Sequence, residues 1–116
     1  MVNIELSLTP SENRIRVIVN GHAGQAEKGK DLVCSAASIL TYTIAENVKR
    51  LCRKHIGVIS LDEGKSEIDI FLNSNEEYKD FAKRIEAVSI GFEILAESYP
   101  EYVTFNVNGK GESLNI

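Results

Sequence analysis

The sequence of 116 residues has no tryptophan, one methionine, two prolines and two cysteines. Two cysteines are too few for the disulfide framework that holds many small secreted domains together. We therefore expect both thiols, Cys34 and Cys52, to be free in a reducing compartment. The question that the sequence raises is what each thiol does.

The sequence also lacks a long apolar run and a surplus of basic residues. No run approaches the roughly 18 apolar residues that a membrane-spanning helix needs, and residues 1–5 do not resemble a signal peptide. The net charge of −4 argues against sequence-independent binding of nucleic-acid phosphates. We expect a cytoplasmic protein that binds neither membrane nor nucleic acid, and an acidic surface of this kind suits a basic protein partner.

Motifs for nucleotide cofactors are missing as well. Neither a Gly-x-Gly-x-x-Gly pattern nor a P-loop spacing occurs, and the carboxylates are too dispersed to indicate a paired-carboxylate site. The sequence predicts no cofactor.

The residues that are present predict one α+β domain over 1–116, since 43% are hydrophobic and 26% charged. Apolar residues alternate with polar ones in five segments, which is typical of strands with one buried face. The five predicted strands cover residues 2–8, 15–20, 58–61, 67–72 and 103–107.

Two segments carry apolar residues at helical spacing. The first predicted helix has Asp31 as its N-cap and runs from about Leu32 to about His55. The second follows Ser74, whose Ser-x-x-Glu spacing indicates a capping box, and ends before Pro100. The polar residues 108–116 are predicted to fray.

The predicted order is ββαββαβ, a five-stranded mixed sheet with both amphipathic helices on one face. Ile18 and Phe71 fall on the opposite face of the sheet, which could therefore pair two subunits.

Cys34 and His22 are the candidates for chemistry. The predicted N-cap places Cys34 in the first helical turn, where free N–H groups and the helix dipole favour a thiolate. His22 directly follows the second strand, so the two side chains could meet. An imidazole beside a thiolate can move the protons that peptide-bond cleavage requires, and N–H groups of the helix N-terminus could bind the oxyanion.

Simpler interpretations stay open at this point. A helical cysteine is more often a small buried hydrophobe, a loop histidine is usually solvated, and Asp31 can be an ordinary N-cap. Zinc binding by both cysteines with His22 and His55 is unfavourable, because 18 helical residues separate the cysteines by about 27 Å. We expect no metal, a packed Cys52, and a His55 that interacts with the helix C-terminus.

Residues 21–38 resemble the signature of the bacterial ribosomal-processing cysteine protease family. That signature has a Gly-His-Ala triplet, which matches here from Gly21, a variable loop, and a segment with Asp31 three residues before Cys34 and Ser38 four residues after it. Leu32 and Ser35 stand where the family more often has Ile and Ala, and neither change removes a functional group.

The resemblance implies a homodimeric endopeptidase with a dyad of Cys34 and His22. Members of this family remove an N-terminal extension from a large-subunit ribosomal protein, the twenty-seventh in the usual naming. This protein would be the basic substrate, and Asp31, Gly21 and Ser38 would support the site. The loop between the dyad residues is predicted to be a lid over the substrate. The lid comprises Ala23, Gly24, Gln25, Ala26, Glu27, Lys28, Gly29 and Lys30.

Two other functions fit part of the pattern. A non-enzymatic ribosome-assembly or peptide-binding module could use the same loop, and its Cys34 would react like any ordinary thiol. A redox-sensing thiol fits less well, because Cys52 is too far along the same helix to act as its partner.

Overall fold

A computed structural model describes residues 1–21, 28–52, 54–62, 64–108 and 110–111 of the protein; for residues 28–31 and 110–111 it describes the backbone alone. The strands are β1 (Val2–Thr9), β2 (Arg14–Asn20), β3 (Ile56–Asp62), β4 (Lys65–Phe71), β5 (Val103–Val107) and β6 (Lys110–Gly111). The helices are α1 (Lys28–Leu51) and α2 (Asn75–Ser98), and a short 3₁₀ turn covers Pro10–Glu12.

The strands form one mixed sheet in the order β3-β4-β2-β1-β5-β6. β4 runs antiparallel to both β2 and β3, and β5 runs parallel to β1. The five predicted strands, both helices and the mixed sheet are confirmed. The two-residue β6 was not predicted, although an Asn-Gly sequence such as that at 108–109 is typical of hairpin turns, and Asn108 has a φ of 52°.

The core lies between one face of the sheet and both helices, as the alternation of apolar residues predicted. Every second residue of the central strands is buried in this cluster, together with the inner stripes of α1 and α2. The largest fully buried side chains are Phe92, Ile4, Leu6, Ile15, Ile44, Ile68, Ile70 and Ile85. Phe92 packs on Phe105 with 5.7 Å between ring centroids, which joins α2 to β5.

The connections place each helix over a different part of the sheet. β2 and β3 point the same way, since both are antiparallel to β4, and α1 connects them over β4. α2 connects β4 to β5 and contacts β5 and β2. α1 therefore lies on the β3 side of the sheet, and its first turn lies at the end where β2 and β3 finish. We call this end the upper end of the sheet.

The sheet face opposite the helices carries ion pairs. Arg14 donates two hydrogen bonds to Asp69, of 2.9 and 2.7 Å, and its guanidinium lies 5.1 Å from the centre of the Phe71 ring. Arg16 donates to Glu67 at 3.0 Å. These pairs hold β2 to β4. Because half-buried Ile18 and Phe71 share this open face, their predicted orientation is confirmed.

The predicted limits of the first helix were wrong by about one turn. α1 begins at Lys28 rather than Leu32, because the helical backbone continues through Gly29 despite the intrinsic cost of glycine. It ends at Leu51 rather than His55, because the chain must turn back to enter β3 at Ile56. The tail predicted to fray, residues 108–116, contains β6, which pairs with β5; residues 109 and 112–116 lie outside the described residues.

The second helix begins as its capping box predicted. The hydroxyl of Ser74 accepts a hydrogen bond of 3.1 Å from the backbone N–H of Glu77. In the described ranges, no helix is long and apolar enough to cross a membrane.

Candidate active site

Gly21 closes β2 at the upper end of the sheet and is the residue before His22. It has a φ of +123°, and a Cβ at this position would lie 2.0 Å from the carbonyl oxygen of Met1. Its N–H donates to the carbonyl of Gly64 at 2.9 Å, in the turn between β3 and β4. Only glycine fits here, so the point at which the chain leaves β2 toward His22 is fixed by backbone contacts.

Cys34 is a free, half-buried thiol near the beginning of α1. Its neighbour Val33 is 1% exposed and Ala37, one turn later, is 3% exposed, so this part of the helix is anchored in the core. Ser38 is exposed on the outer side of α1. The thiol therefore lies at the border between core and surface.

The observed start of α1 changes the local chemistry of Cys34. Asp31 is the fourth residue of the helix and not its N-cap, so that prediction was wrong. Cys34 is the seventh residue and lies in the second turn, where the backbone N–H already bonds to the carbonyl four residues earlier. The free N–H groups of the helix belong to residues 28–31, one turn above the thiol.

Several predicted site residues lie outside the described residues. They are His22 and lid residues 23–27. The three remaining lid residues, Lys28, Gly29 and Lys30, form the first turn of α1 and are therefore not part of a loop.

The second thiol, Cys52, is buried as predicted and lies just after α1. Burial raises the pKa of the Cys52 thiol, and a hydrogen bond of 3.4 Å that its Sγ donates to Glu77 raises it further. The same Glu77 carboxylate accepts from the backbone N–H of Asn73 at 3.1 Å. These hydrogen bonds connect the end of α1 to the beginning of α2. Cys52 therefore lies at the far end of α1 from Cys34, the candidate nucleophile.

The side chain of His55 also interacts with the C-terminal end of α1, as predicted. Its Nδ1 lies 2.8 Å from the carbonyl oxygen of Cys52, to which the Nδ1-protonated ring donates. Sequence reasoning missed the role of Glu77, although the capping box already placed this carboxylate at the beginning of α2.

No group of three metal-ligating side chains is found in the described part of the chain. A shallow cleft of about 410 Å³ lies on the outer side of α1 and is lined by Ile39, Tyr42, Thr43, Glu46, Asn47, Arg50 and Leu51. Cys34 does not line this cleft, so the cleft gives no information about the candidate active site.

Comparison with known proteins identifies the family. Residues 1–104 match the family model described as cysteine protease Prp. A crystal structure of SMU.848 from Streptococcus mutans is similar, with 28% identity, a TM-score of 0.71, and 92% of this chain and 93% of that chain covered. No curated protein matches the chain.

Two solved structures of the ribosomal processing protease Prp from S. aureus share the fold. One holds a substrate peptide, with 22% identity and a TM-score of 0.72. The other holds a covalently linked product peptide, with 23% identity and a TM-score of 0.70. Each match covers 92% of this chain and 99% of the other. The match over residues 1–104 shows that this chain belongs to the cysteine protease Prp family.

Proposed function

We propose that the protein is a cytoplasmic cysteine endopeptidase that removes the N-terminal extension of a large-subunit ribosomal protein, the twenty-seventh in the usual naming. The family match supports a cysteine protease. The observation that carries the assignment is the position of Cys34, a free and half-buried thiol near the beginning of α1. It lies toward the same end of the sheet at which Gly21 leads into His22.

In the proposed reaction the thiolate of Cys34 attacks the scissile carbonyl carbon and forms a tetrahedral intermediate. His22 takes the thiol proton and then gives it to the leaving amine, so the peptide bond breaks and an acyl-enzyme remains. Water, deprotonated by His22, hydrolyses the thioester and restores the thiol. Asp31 and Ser38 would support this site from the first three turns of α1.

The substrate assignment has two supports. The S. aureus relatives are described as ribosomal processing proteases, and one of them holds a covalently linked product peptide, which is the kind of species that a thiol nucleophile forms. The net charge of −4 also favours association with a basic ribosomal protein, and this attraction should weaken as salt rises.

The direct test is to incubate the protein with the extended ribosomal protein of the same organism and to measure the substrate mass. We expect a shortened N-terminus, and we expect Cys34→Ala and His22→Ala each to abolish cleavage while the fold, measured by circular dichroism, is retained. Cys52→Ala is the matched control, because it removes the other thiol and should still cleave. Trimming by Cys34→Ala would contradict the proposal.

The reaction rate of Cys34 with iodoacetamide separates a protease from a peptide-binding module. A nucleophile paired with His22 should react faster than a free cysteine in an unfolded peptide at the same pH. A rate equal to that of the peptide would favour the non-enzymatic module.

We further propose that two copies pair through the open face of the sheet. Ile56 and Val58, which are 68% and 53% exposed, share this face with Ile18 and Phe71 and extend its apolar surface. Light scattering should give the mass of a dimer, and Ile18→Glu should shift it to a monomer.

A further inference from the structure

β3 is an edge strand, and the hydrogen bonds of its neighbour show which of its backbone groups are free. The N–H of Gly21 donates to the carbonyl of Gly64, and the N–H of Leu72 donates to the carbonyl of Asn13. Backbone groups alternate in direction along a strand, so the even-numbered residues of β4 bond to β2. The odd-numbered residues of β4 must therefore bond to β3.

This alternation assigns the free groups of β3. The partners of the odd β4 residues are Ile56, Val58, Ser60 and Asp62. The remaining residues, Gly57, Ile59 and Leu61, direct their N–H and C=O groups away from β4. Among the described residues no strand pairs with this side of β3, which is the open edge that the described sheet presents.

The open edge lacks most of the features that usually prevent pairing with another chain, and its one charged residue is Asp62, at the last position of the strand. β3 contains no lysine, arginine or proline, and its register with β4 continues from Ile56 to Asp62 with no bulge. An edge of this kind pairs readily with an extended peptide.

Cys34 is on the flank of α1 that faces this edge. On the opposite flank, Leu40 packs against Gly91 of α2, where a Cβ on the glycine would lie 2.6 Å from Leu40 Cδ2. At 3.6 residues per turn, Cys34 is about 120° round the helix from Leu40, with the buried Val33 and Ala37 between them. Because α1 lies between α2 and the β3 edge, the flank away from α2 faces β3.

The position of Cys34 along the direction of the strands also places it beside this edge. It is 18 residues before Cys52, or about 27 Å along the helix axis, and Cys52 lies just before the lower end of β3. β3 spans about 23 Å over its seven residues. The thiol is therefore level with the upper end of β3, near Leu61.

We propose that the substrate peptide binds as an added strand on the outer edge of β3, paired with the free backbone groups of Ile59 and Leu61. This inference rests on the proposed function and specifies where the substrate binds on the protein. The scissile bond would pass the upper end of β3, beside Cys34, and the exposed Asp62 would face a basic residue of the peptide. The position of Cys34 favours a substrate over a second copy of the chain as the occupant of the edge.

Amide hydrogen exchange, measured by NMR on the full-length Cys34→Ala variant, tests the pairing directly. The probe is a synthetic peptide that spans the extension and first residues of the ribosomal protein. Without it, the amides of Ile59 and Leu61 should exchange rapidly, while those of Val58 and Ser60 are protected by β4. With saturating peptide, we expect the exchange of Ile59 and Leu61 to slow by at least about tenfold.

Three other outcomes would each be decisive. A peptide that the wild-type protein does not cleave refutes the proposed function. A peptide that is cleaved while the amides of Ile59 and Leu61 exchange as before refutes edge binding alone. Protection of these amides that rises with protein concentration, without peptide, would show that a second copy covers the edge and would also refute edge binding.

A pair of variants tests the same contact by kinetics. Leu61→Pro removes the outward N–H without removing a bond to β4, and Leu61→Ala truncates the side chain but keeps the N–H. Relative to Leu61→Ala, we expect Leu61→Pro to raise KM about tenfold with a smaller change in kcat. Equal KM values for the two folded variants would refute the pairing at Leu61.

Discussion

The hydroxyl of Ser89 offers a sharp test of the packing. Ser89 is 0% exposed in the middle of α2, on the same face as the fully buried Ile85 and Phe92. Its Oγ has no hydrogen-bond partner among the described residues. A buried hydroxyl without a partner has lost its bonds to water and gained nothing in return. We predict that Ser89→Ala increases the free energy of unfolding.

The expected change in the free energy of unfolding combines two stabilising contributions and one that offsets them. An unsatisfied buried polar group costs about 1–3 kcal/mol, and alanine is favoured over serine inside a helix by about 0.5 kcal/mol. The oxygen that is lost leaves a void smaller than a methyl group, which offsets part of this gain. We expect a net stabilisation of about 1–2 kcal/mol, or a rise in Tm of about 4–8 °C for a domain of this size.

Thr41 provides the matched control. It is also buried, at 2% exposure, but its hydroxyl donates a hydrogen bond of 2.7 Å to the carbonyl of Ala37. Thr41→Val keeps the shape and removes this bond, so it should lower the stability by about 1 kcal/mol. Urea unfolding at pH 7, followed by circular dichroism, would compare both variants with the wild type.

We expect the two substitutions to change the free energy of unfolding in opposite directions. If Ser89→Ala is no more stable than the wild type, the hydroxyl has a partner in solution, and the assignment of Ser89 as an unsatisfied group is wrong. If both variants are destabilised equally, hydrogen bonding does not distinguish the two hydroxyls.

Three further predictions concern pH, backbone geometry and thiol reactivity. The hydrogen bonds from Arg14 hold the pKa of Asp69 below its ordinary value, so the stability from this pair is present above a pH of about 4 and is lost as the pH falls through the lower folded-state pKa. In Asp69→Asn, the free energy of unfolding, measured with urea, should fall less steeply than in the wild type as the pH is lowered from 5 to 2. Gly57 has a φ of +142°, and an added Cβ would lie 2.0 Å from the Asp69 carbonyl oxygen. Gly57→Ala should therefore cost more than about 3 kcal/mol in the same assay. Because burial and Glu77 raise the pKa of Cys52, iodoacetamide at pH 8 should label Cys34 and spare Cys52 in the native protein, as peptide mass spectrometry would show.

Each of these predictions has a control or a result that would contradict it. Gly91→Ala is the control for Gly57→Ala. The added Cβ would contact the flexible side chain of Leu40, and alanine is a better helix former than glycine in α2. We therefore expect the free energy of unfolding to change by no more than about 1 kcal/mol. If the free energy of unfolding of Asp69→Asn depends on pH between 2 and 5 as that of the wild type does, other carboxylates dominate acid unfolding. Labelling of both cysteines at equal rates in the native state would contradict the buried position of Cys52.

Local patterns were enough to predict most of the fold. Alternating apolar residues placed five strands and the face that each one buries, because side chains on a strand alternate in direction. Ser74 marked the beginning of α2, because a capping residue is a local signal. Helix arithmetic alone separated the two cysteines and predicted that Cys52 is a packed thiol.

The beginning of α1 shows where local patterns fail. Asp31 has the right chemistry for an N-cap, and a helix with a glycine near its start is intrinsically unfavourable. The helix nevertheless begins at Lys28. This difference of one turn moves Cys34 from the first turn to the second, and it removes part of the electrostatic argument for its reactivity.

The sequence by itself determined the secondary structure, the family resemblance through the spacing of Gly21, Asp31 and Cys34, and the charge that suits a basic partner. The tertiary structure decided which strand is an open edge and which flank of α1 carries Cys34. Strand order and helix placement depend on contacts between residues far apart in the chain, and no local pattern encodes them. The partners of Glu77 and the unsatisfied hydroxyl of Ser89 became apparent only in the packed core, for the same reason.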